Sequence, residues 1–262
     1  LETPIVLTNT LCVGTAVQAV VDWSLRQLGN EEVRSVNAVV GETNDGYLND
    51  IRRCAVRDVD VEAAIEEAEE GSVPQGSVGA GTGTSLFGFK GGIGTASRRF
   101  EAGGREYTLG VLVQCNYNWD GDDLRLGGQR VDHLLPVGEH CFTDRAIPRH
   151  NDWYPYCDDP DEATEPSASR DGSIIVIIAT DAPLLPHQLA RVAKRPSLAL
   201  GRLGAVSTAG SGDIFVAFST ANQGSIDQHD GIMQLDGVAE GEISALFEAA
   251  IQATDEAIIN CL

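Results

Sequence analysis

Lysine is almost missing from this sequence. In 262 residues only Lys90 and Lys194 carry an ammonium side chain. Lys and Arg together number 18 against 39 Asp and Glu, so the net charge is −21. That imbalance excludes a nucleic-acid-binding surface, because a phosphate backbone would be repelled rather than neutralised. It disfavours an anionic membrane surface for the same reason. Carboxylate-rich, lysine-poor chains stay soluble where salt screens charge repulsion, which points to a salt-rich, halophilic cytoplasm. Also missing are a secretory leader and any apolar run long enough to cross a bilayer, so the expected location is cytoplasmic. No CxxC pair occurs among Cys12, Cys54, Cys115, Cys141, Cys157 and Cys261, which excludes the common zinc and redox motifs. Cys12, Cys115 and Cys261 lie in apolar segments and read as small core residues, and a disulfide framework is not expected in a chain of this length. What the chain does have is apolar residues in recurring segments, 42% in all, which excludes disorder for most of it.

The apolar spacing predicts a helix over Thr10–Leu28, stopped at Gly29-Asn30. A short strand at Val36–Val40 leads into the polar turn Gly41–Tyr47. Asp60–Glu70 reads as an acidic helix and Glu106–Asn116 as a buried strand. Residues 117–171 break the pattern, being rich in Asp, Pro, Gly, Trp and Tyr. They read as a long surface excursion whose acidic end, Asp158–Asp171, is expected to be mobile. Order resumes at Ser173–Thr180 (SIIVIIAT), a continuous β-branched run of the kind buried on both faces. Asp181 is a candidate N-cap for a helix to about Lys194, with Pro183 in its first turn. Ile214–Ser219 is a further strand and Gly241–Leu262 a final amphipathic helix. Strands interleaved with long helices make the class α/β or α+β.

Four places could carry chemistry. The Gly-rich stretch from Val78 to Thr95 invites a phosphate-binding reading, but Lys90 is followed by Gly91 rather than Ser or Thr, and no strand–loop–helix frame surrounds it. A tight loop packed close to a core or site is the plainer reading. His140, Cys141, His150 and Cys157 cluster within the excursion, at spacings that match no standard zinc pattern, so no metal is assigned. The third place is Gly172-Ser173, where the acidic stretch meets the buried strand. A Ser hydroxyl there can attack its own preceding carbonyl, and the N→O acyl shift would leave Ser173 as a new N-terminus. Its hydroxyl is then a nucleophile, and its free α-amine, with a reference pKa near 8, a base usable near neutrality. The fourth is Gly210-Ser211-Gly212-Asp213. If the strand already begins there, Ser211 and Asp213 share one face and could relay a proton or hold an ammonium group. A Gly-Ser-Gly turn with a local Asp hydrogen bond is the plain alternative.

At these residues the sequence resembles a known family. The segment Gly172-Ser-Ile-Ile-Val-Ile-Ile-Ala-Thr-Asp-Ala-Pro-Leu-Leu-Pro-His-Gln-Leu189 is similar to the start of the small subunit in the DmpA family of L-aminopeptidase/D-esterases and β-peptidyl aminopeptidases. Pro4-Ile-Val-Leu-Thr-Asn-Thr10 and Val39-Val-Gly-Glu-Thr-Asn-Asp-Gly-Tyr-Leu-Asn-Asp50 follow the same family. So do Val78-Gly-Ala-Gly-Thr-Gly83, Phe87-Gly-Phe-Lys-Gly-Gly-Ile-Gly-Thr95 and Gly210-Ser-Gly-Asp-Ile-Phe-Val-Ala-Phe-Ser219. These segments run in the family's order over nearly the whole chain.

The resemblance implies an α+β fold, a four-layer αββα sandwich forming a single domain over residues 1–262. It implies an inactive precursor cut between Gly172 and Ser173 into parts 1–172 and 173–262. Ser173 would then be both the cleaving residue and the catalytic nucleophile. Ser211 and Asp213 fall on the family's serine–carboxylate pair, and Asn116 on its oxyanion-hole asparagine. Asn44 and Tyr47 fall in a turn that helps form the substrate pocket. The implied activity is a cofactor-free serine aminopeptidase acting on short peptides, amides or esters with a free amino end, through a seryl ester. An oligomer of cleaved pairs is expected. The family's stretch ahead of Pro4 is absent here, so its strands are expected to lie outside this sequence, and the excursion is longer than usual. Other readings are an acyltransferase related to the ornithine acetyltransferases, whose nucleophile is Thr rather than Ser, a non-catalytic binding protein on the same scaffold, and a nucleotide-binding module using the Gly-rich loop.

Overall fold

Two glycines set the centre of the molecule. Gly103 and Gly104 both adopt positive φ, 58° and 72°, as a tight hairpin turn requires. They join strand β5 (Gly92–Ala102) to β6 (Arg105–Asn116). The structure, a computed structural model, describes residues 1–117, 123–135, 141, 143, 145–146, 156–159, 172–225 and 231–262. Before the hairpin come β1 (Ile5–Asn9), α1 (Val13–Leu25), β2 (Val39–Thr43), α2 (Asp58–Glu66) and the short pair β3 (Ser85–Leu86) and β4 (Phe89–Lys90). After it come a small hairpin, β7 (Arg125–Leu126) and β8 (Gln129–Arg130), then β9 (Ser173–Thr180), α3 (Pro186–Val192), α4 (Pro196–Leu203), β10 (Ile214–Ser219) and α5 (Ile243–Ile259).

The main sheet has the order β10-β9-β6-β5. Strand β9 pairs antiparallel with β6 on one edge and parallel with β10 on the other. Its backbone is thus satisfied on both sides, and Ile174, Val176 and Ile178 are buried, which is why its sequence reads as one unbroken apolar run. Strand β6 sorts its side chains by parity. Leu109, Val111, Val113 and Cys115 join the core that includes Leu246, Ala250, Ala253, Ala257 and Ile258 of α5. The helix lies so close that a Cβ on Gly94 of β5 would stand 1.8 Å from the Ala257 carbonyl oxygen. The other face of β6 carries Gln114 and Asn116, which reach toward the parallel pair β1–β2. Outside that pair, Ala16, Ala19 and Val20 of α1 pack with Val61 of α2 and against Val6 and Val40. The layers therefore run helix, sheet, sheet, helix, an α+β sandwich of the αββα kind.

The two sheet layers are tied by Gln114, which is fully buried. Its Nε2 donates to the Thr8 carbonyl (3.0 Å) on β1 and to Thr43 Oγ1 (2.8 Å) on β2. One side chain of the main sheet thus grips both strands of the second.

Several elements depart from the sequence reading. The first helix is preceded by a short turn over Thr10–Cys12, where the Asn9 side chain accepts the Cys12 N–H. The strand read at Val36–Val40 lies at Val39–Thr43, and the acidic helix runs Asp58–Glu66. Asp181 does not cap a helix. Its carboxylate accepts the Thr108 N–H of β6 at 2.7 Å, so the helix waits until Pro186, and a second helix, α4, follows. Cys141 and Cys157 form a disulfide, where the sequence reading expects no disulfide framework. The acidic stretch singled out at residues 158–171 lies outside the described residues from 160 onward. Among the described residues no helix is long and apolar enough to cross a membrane.

Gln114→Ala leaves the Thr8 carbonyl and the Thr43 hydroxyl without their donor inside a closed layer. It should cost about 3 kcal/mol and lower the thermal midpoint by roughly 6–12 °C, read by calorimetry.

Candidate active site

The antiparallel register of β6 and β9 sets Asn116 directly opposite Ser173. In such a pair both side chains leave the sheet on the same face, here the one turned toward β1–β2. Asn116 is buried and Ser173 half-buried. On the other edge of β9, the parallel register aligns Ile214 with Ile175. Just ahead of β10, the Gly212 N–H donates to the Gly172 carbonyl at 3.0 Å. A Cβ on Gly212 would come within 2.9 Å of Ser173 Oγ, so the hydroxyl rests against the Gly212 backbone.

Ser211 and Asp213 flank that glycine. The strand itself starts at Ile214, so strand alternation does not bring them to one face as the sequence suggested. Their placement comes instead from the contact of Gly212 with residues 172 and 173. Ser211 is held in its loop by its N–H, which donates to the Thr208 carbonyl at 2.9 Å.

The amide of Asn116 has a fixed orientation. Its Oδ1 accepts the Ser85 N–H (3.1 Å), and its Nδ2 donates to the Asn44 carbonyl (2.7 Å). A flipped amide would set donor against donor and oxygen against oxygen. One of its two N–H groups is thereby committed to Asn44. Asn44 gives its carbonyl to Asn116, and its side-chain oxygen accepts the Gly46 N–H (3.0 Å), which shapes the turn. Buried Asp45 stiffens the same turn by accepting from Asn49 Nδ2 (2.9 Å). Tyr47 follows, half-buried.

Sequence reasoning missed three contributors. Gly212 supplies the N–H to the Gly172 carbonyl, and its position between Ser211 and Asp213 is the only local hint. Ser85 orients the Asn116 amide through its backbone, which leaves no trace in residue type. Tyr117 closes the back of the junction: a Cβ on Gly172 would stand 2.4 Å from Tyr117 Cα and 2.8 Å from the Asn116 carbonyl oxygen. Its ring packs edge-on against Phe87, centroids 5.3 Å apart, and burial pushes its phenol well above the ordinary tyrosine value.

The remaining sequence candidates fall elsewhere. Lys90 Nζ donates to the Gly81 and Gly91 carbonyls, 2.7 Å each, and burial lowers its affinity for the proton. That ammonium group is spent on the Gly-rich loop itself. The loop presses on the Asp45 turn, since a Cβ on Gly83 would lie 2.7 Å from Asp45 Oδ2. His140 and His150 lie outside the described residues, and the sulfurs of Cys141 and Cys157 are bonded to each other. Among the described residues no group of His, Cys, Asp and Glu side chains could hold a metal ion.

Comparison with known proteins gives this arrangement relatives. The family model of peptidase family S58 matches residues 1–262. A β-peptidyl aminopeptidase, BapA, of Sphingosinicella microcystinivorans is 42% identical over 266 residues, covering 99% of this chain and 62% of the relative. The structure of an L-aminopeptidase D-Ala-esterase/amidase from Ochrobactrum anthropi, described as a variant of the Ntn hydrolase fold, superposes with a TM-score of 0.80 at 36% identity. It covers 97% of this chain and 64% of that one. A β-aminopeptidase of Burkholderia sp. gives 0.79 at 40% identity, covering 100% and 66%. The chain thus spans about three-fifths of the length of the curated relative it matches.

Gly172 has no room for a side chain. On a Ser173→Ala background, which separates packing from chemistry, Gly172→Ala should destabilise the fold by about 1–3 kcal/mol through overpacking. Chemical denaturation of the single and double variants measures it.

Proposed function

Since the chain belongs to peptidase family S58, we propose that it is a self-cleaving serine aminopeptidase with Ser173 as nucleophile. The observation that carries this reading is the junction itself. The Gly172 carbonyl already accepts a backbone N–H from Gly212, and Ser173 Oγ lies against the same residue. In the precursor, Oγ attacks the Gly172 carbonyl carbon. The Gly212 N–H stabilises the charge that develops on the carbonyl oxygen. The C–N bond breaks, the hydroxyl proton passes to the departing nitrogen, and an ester is left that water hydrolyses. Residues 1–172 and 173–262 become two chains of one domain.

The new α-amine of Ser173 then sits on its own nucleophile and takes the hydroxyl proton. Oγ attacks the carbonyl of a substrate's N-terminal residue. Asn116, paired with Ser173 across β6 and β9, donates its second N–H to the oxyanion. The Ser211–Asp213 segment supports the proton transfers or receives the substrate ammonium group. The amine product leaves, and water releases the acyl group from the seryl ester. Substrates of this kind are short peptides, amides or esters with a free amino end, in keeping with the names of the relatives.

Intact mass and N-terminal sequencing of the full chain should find two fragments, the smaller beginning Ser-Ile-Ile-Val. Ser173→Ala should stay uncut and inactive. An uncut variant that still turns over substrate overturns the mechanism. Asn116→Ala in cleaved enzyme should lower kcat by about 10²–10³-fold with little change in KM, as expected when one oxyanion donor is lost. An unchanged kcat would move the oxyanion site elsewhere.

A further inference from the structure

All six cysteines of the chain stand in pairs. Cys141 and Cys157 are bonded. Cys12 and Cys54 bring their sulfurs to 2.7 Å, and Cys115 and Cys261 bring theirs to 2.6 Å. Carbon atoms rest against one another at roughly 3.5–4 Å, and sulfur is larger, so two unbonded thiols do not settle this close. A thiol is also too weak a donor to pull them there. The separation lies nearer the bonded distance of about 2.05 Å than to ordinary contact.

The last pair has a distinctive position. Cys115 is the residue before Asn116, on the face of β6 that meets α5, and Cys261 follows the end of α5. Both are buried. The close seat of α5 on β5 brings the second sulfur into range, since a Cβ on Gly94 would stand 2.9 Å from Cys261 Sγ. The pairs Cys12–Cys54 and Cys141–Cys157 both lie before Gly172. Cys115–Cys261, 146 residues apart in sequence, is the one pair that spans the Gly172-Ser173 junction.

We propose that Cys115 and Cys261 form a disulfide, and that this bond keeps the two products of self-cleavage joined as one covalent molecule. The second half of this statement rests on the self-cleavage reading, and the first half does not. The oxidant is a small disulfide of the glutathione class. One cysteine thiolate attacks it, forming a mixed disulfide and releasing one glutathione thiolate. The second thiolate attacks the protein sulfur and releases the other. Two protein thiols are oxidised, one disulfide is reduced to two thiols, and the protons pass to the leaving groups. Burial holds the Cys115 thiol protonated far above its ordinary range, so exchange belongs to the folding chain, before α5 closes over β6.

The test uses the full chain refolded in a mixture of reduced and oxidised glutathione, then denatured in iodoacetamide without reductant. Peptide mapping should recover the Cys115 peptide linked to the Cys261 peptide. On a denaturing gel the protein should run as one band without dithiothreitol and as two with it. Cys261→Ser should give two bands without dithiothreitol and keep its aminopeptidase activity. Linked peptides together with a single band in dithiothreitol would uphold the cross-link and overturn self-cleavage, leaving the bond nothing to join. Carbamidomethyl groups on both Cys115 and Cys261 would overturn the disulfide whatever the state of the backbone. Mapping of the unsubstituted protein decides the matter even if Cys261→Ser fails to fold.

Discussion

The antiparallel pairing of β6 with β9 is the constraint on which the rest depends. It sets Asn116 against Ser173, and it does so at the ends of two strands buried in the middle of a sheet. Everything around the pair serves to hold that register. The odd positions of β6 seat α5, and a one-residue slip would turn Cys115 and Val113 toward the second sheet while forcing Gln114 into an apolar helix interface. Gln114 and Asn116 are thus both fastener and indicator of register. The first ties β1 and β2 to the main sheet, and the second ties the Asn44 turn and β3 to it.

Glycine works here mainly by its bulk being absent. At Gly94 it admits a helix backbone, at Gly212 a hydroxyl, and at Gly172 the main chain of the neighbouring strand. Each of these approaches lies within two residues of a candidate site residue or within the layer that supports one. The Gly-rich loop belongs to the same scheme. Its carbonyls turn inward onto the Lys90 ammonium group, which settles a partly buried cation and a curled backbone together.

How much of this could be read in advance divides along one line. Features set by neighbours in sequence were legible. The run Ser173–Thr180 announces a strand covered on all sides, and the final helix shows its amphipathic face. Features set by distant partners were not. Asp181 has every local mark of a helix cap, yet its carboxylate is claimed by Thr108, 73 residues away. The pairing of Asn116 with Ser173 depends on a register between strands separated by the whole excursion. Nothing local to Ser211-Gly212-Asp213 says that its glycine will face the residue before β9. Ser173, Ser211, Asp213 and Asn116 became candidates through family resemblance, whereas the pairing of Asn116 with Ser173 is a property of the sheet and the approach of the Ser211–Asp213 loop rests on Gly212. The cysteines teach the same point: a spacing without any familiar motif conceals three close pairs.

Strand β9 lies between two neighbours, with β6 on one edge and β10 on the other. Detached from them, an eight-residue segment of uncharged, β-branched sequence would present two open edges, the profile of a segment that nucleates aggregation. A fragment beginning at Ser173 and synthesised alone would start with that segment. Encoding both halves in one polypeptide delivers β6 ahead of β9 and tethers them at high effective concentration. The order of events then matters as much as the final contacts: under the proposed self-cleavage, the chain folds whole and is cut only afterwards.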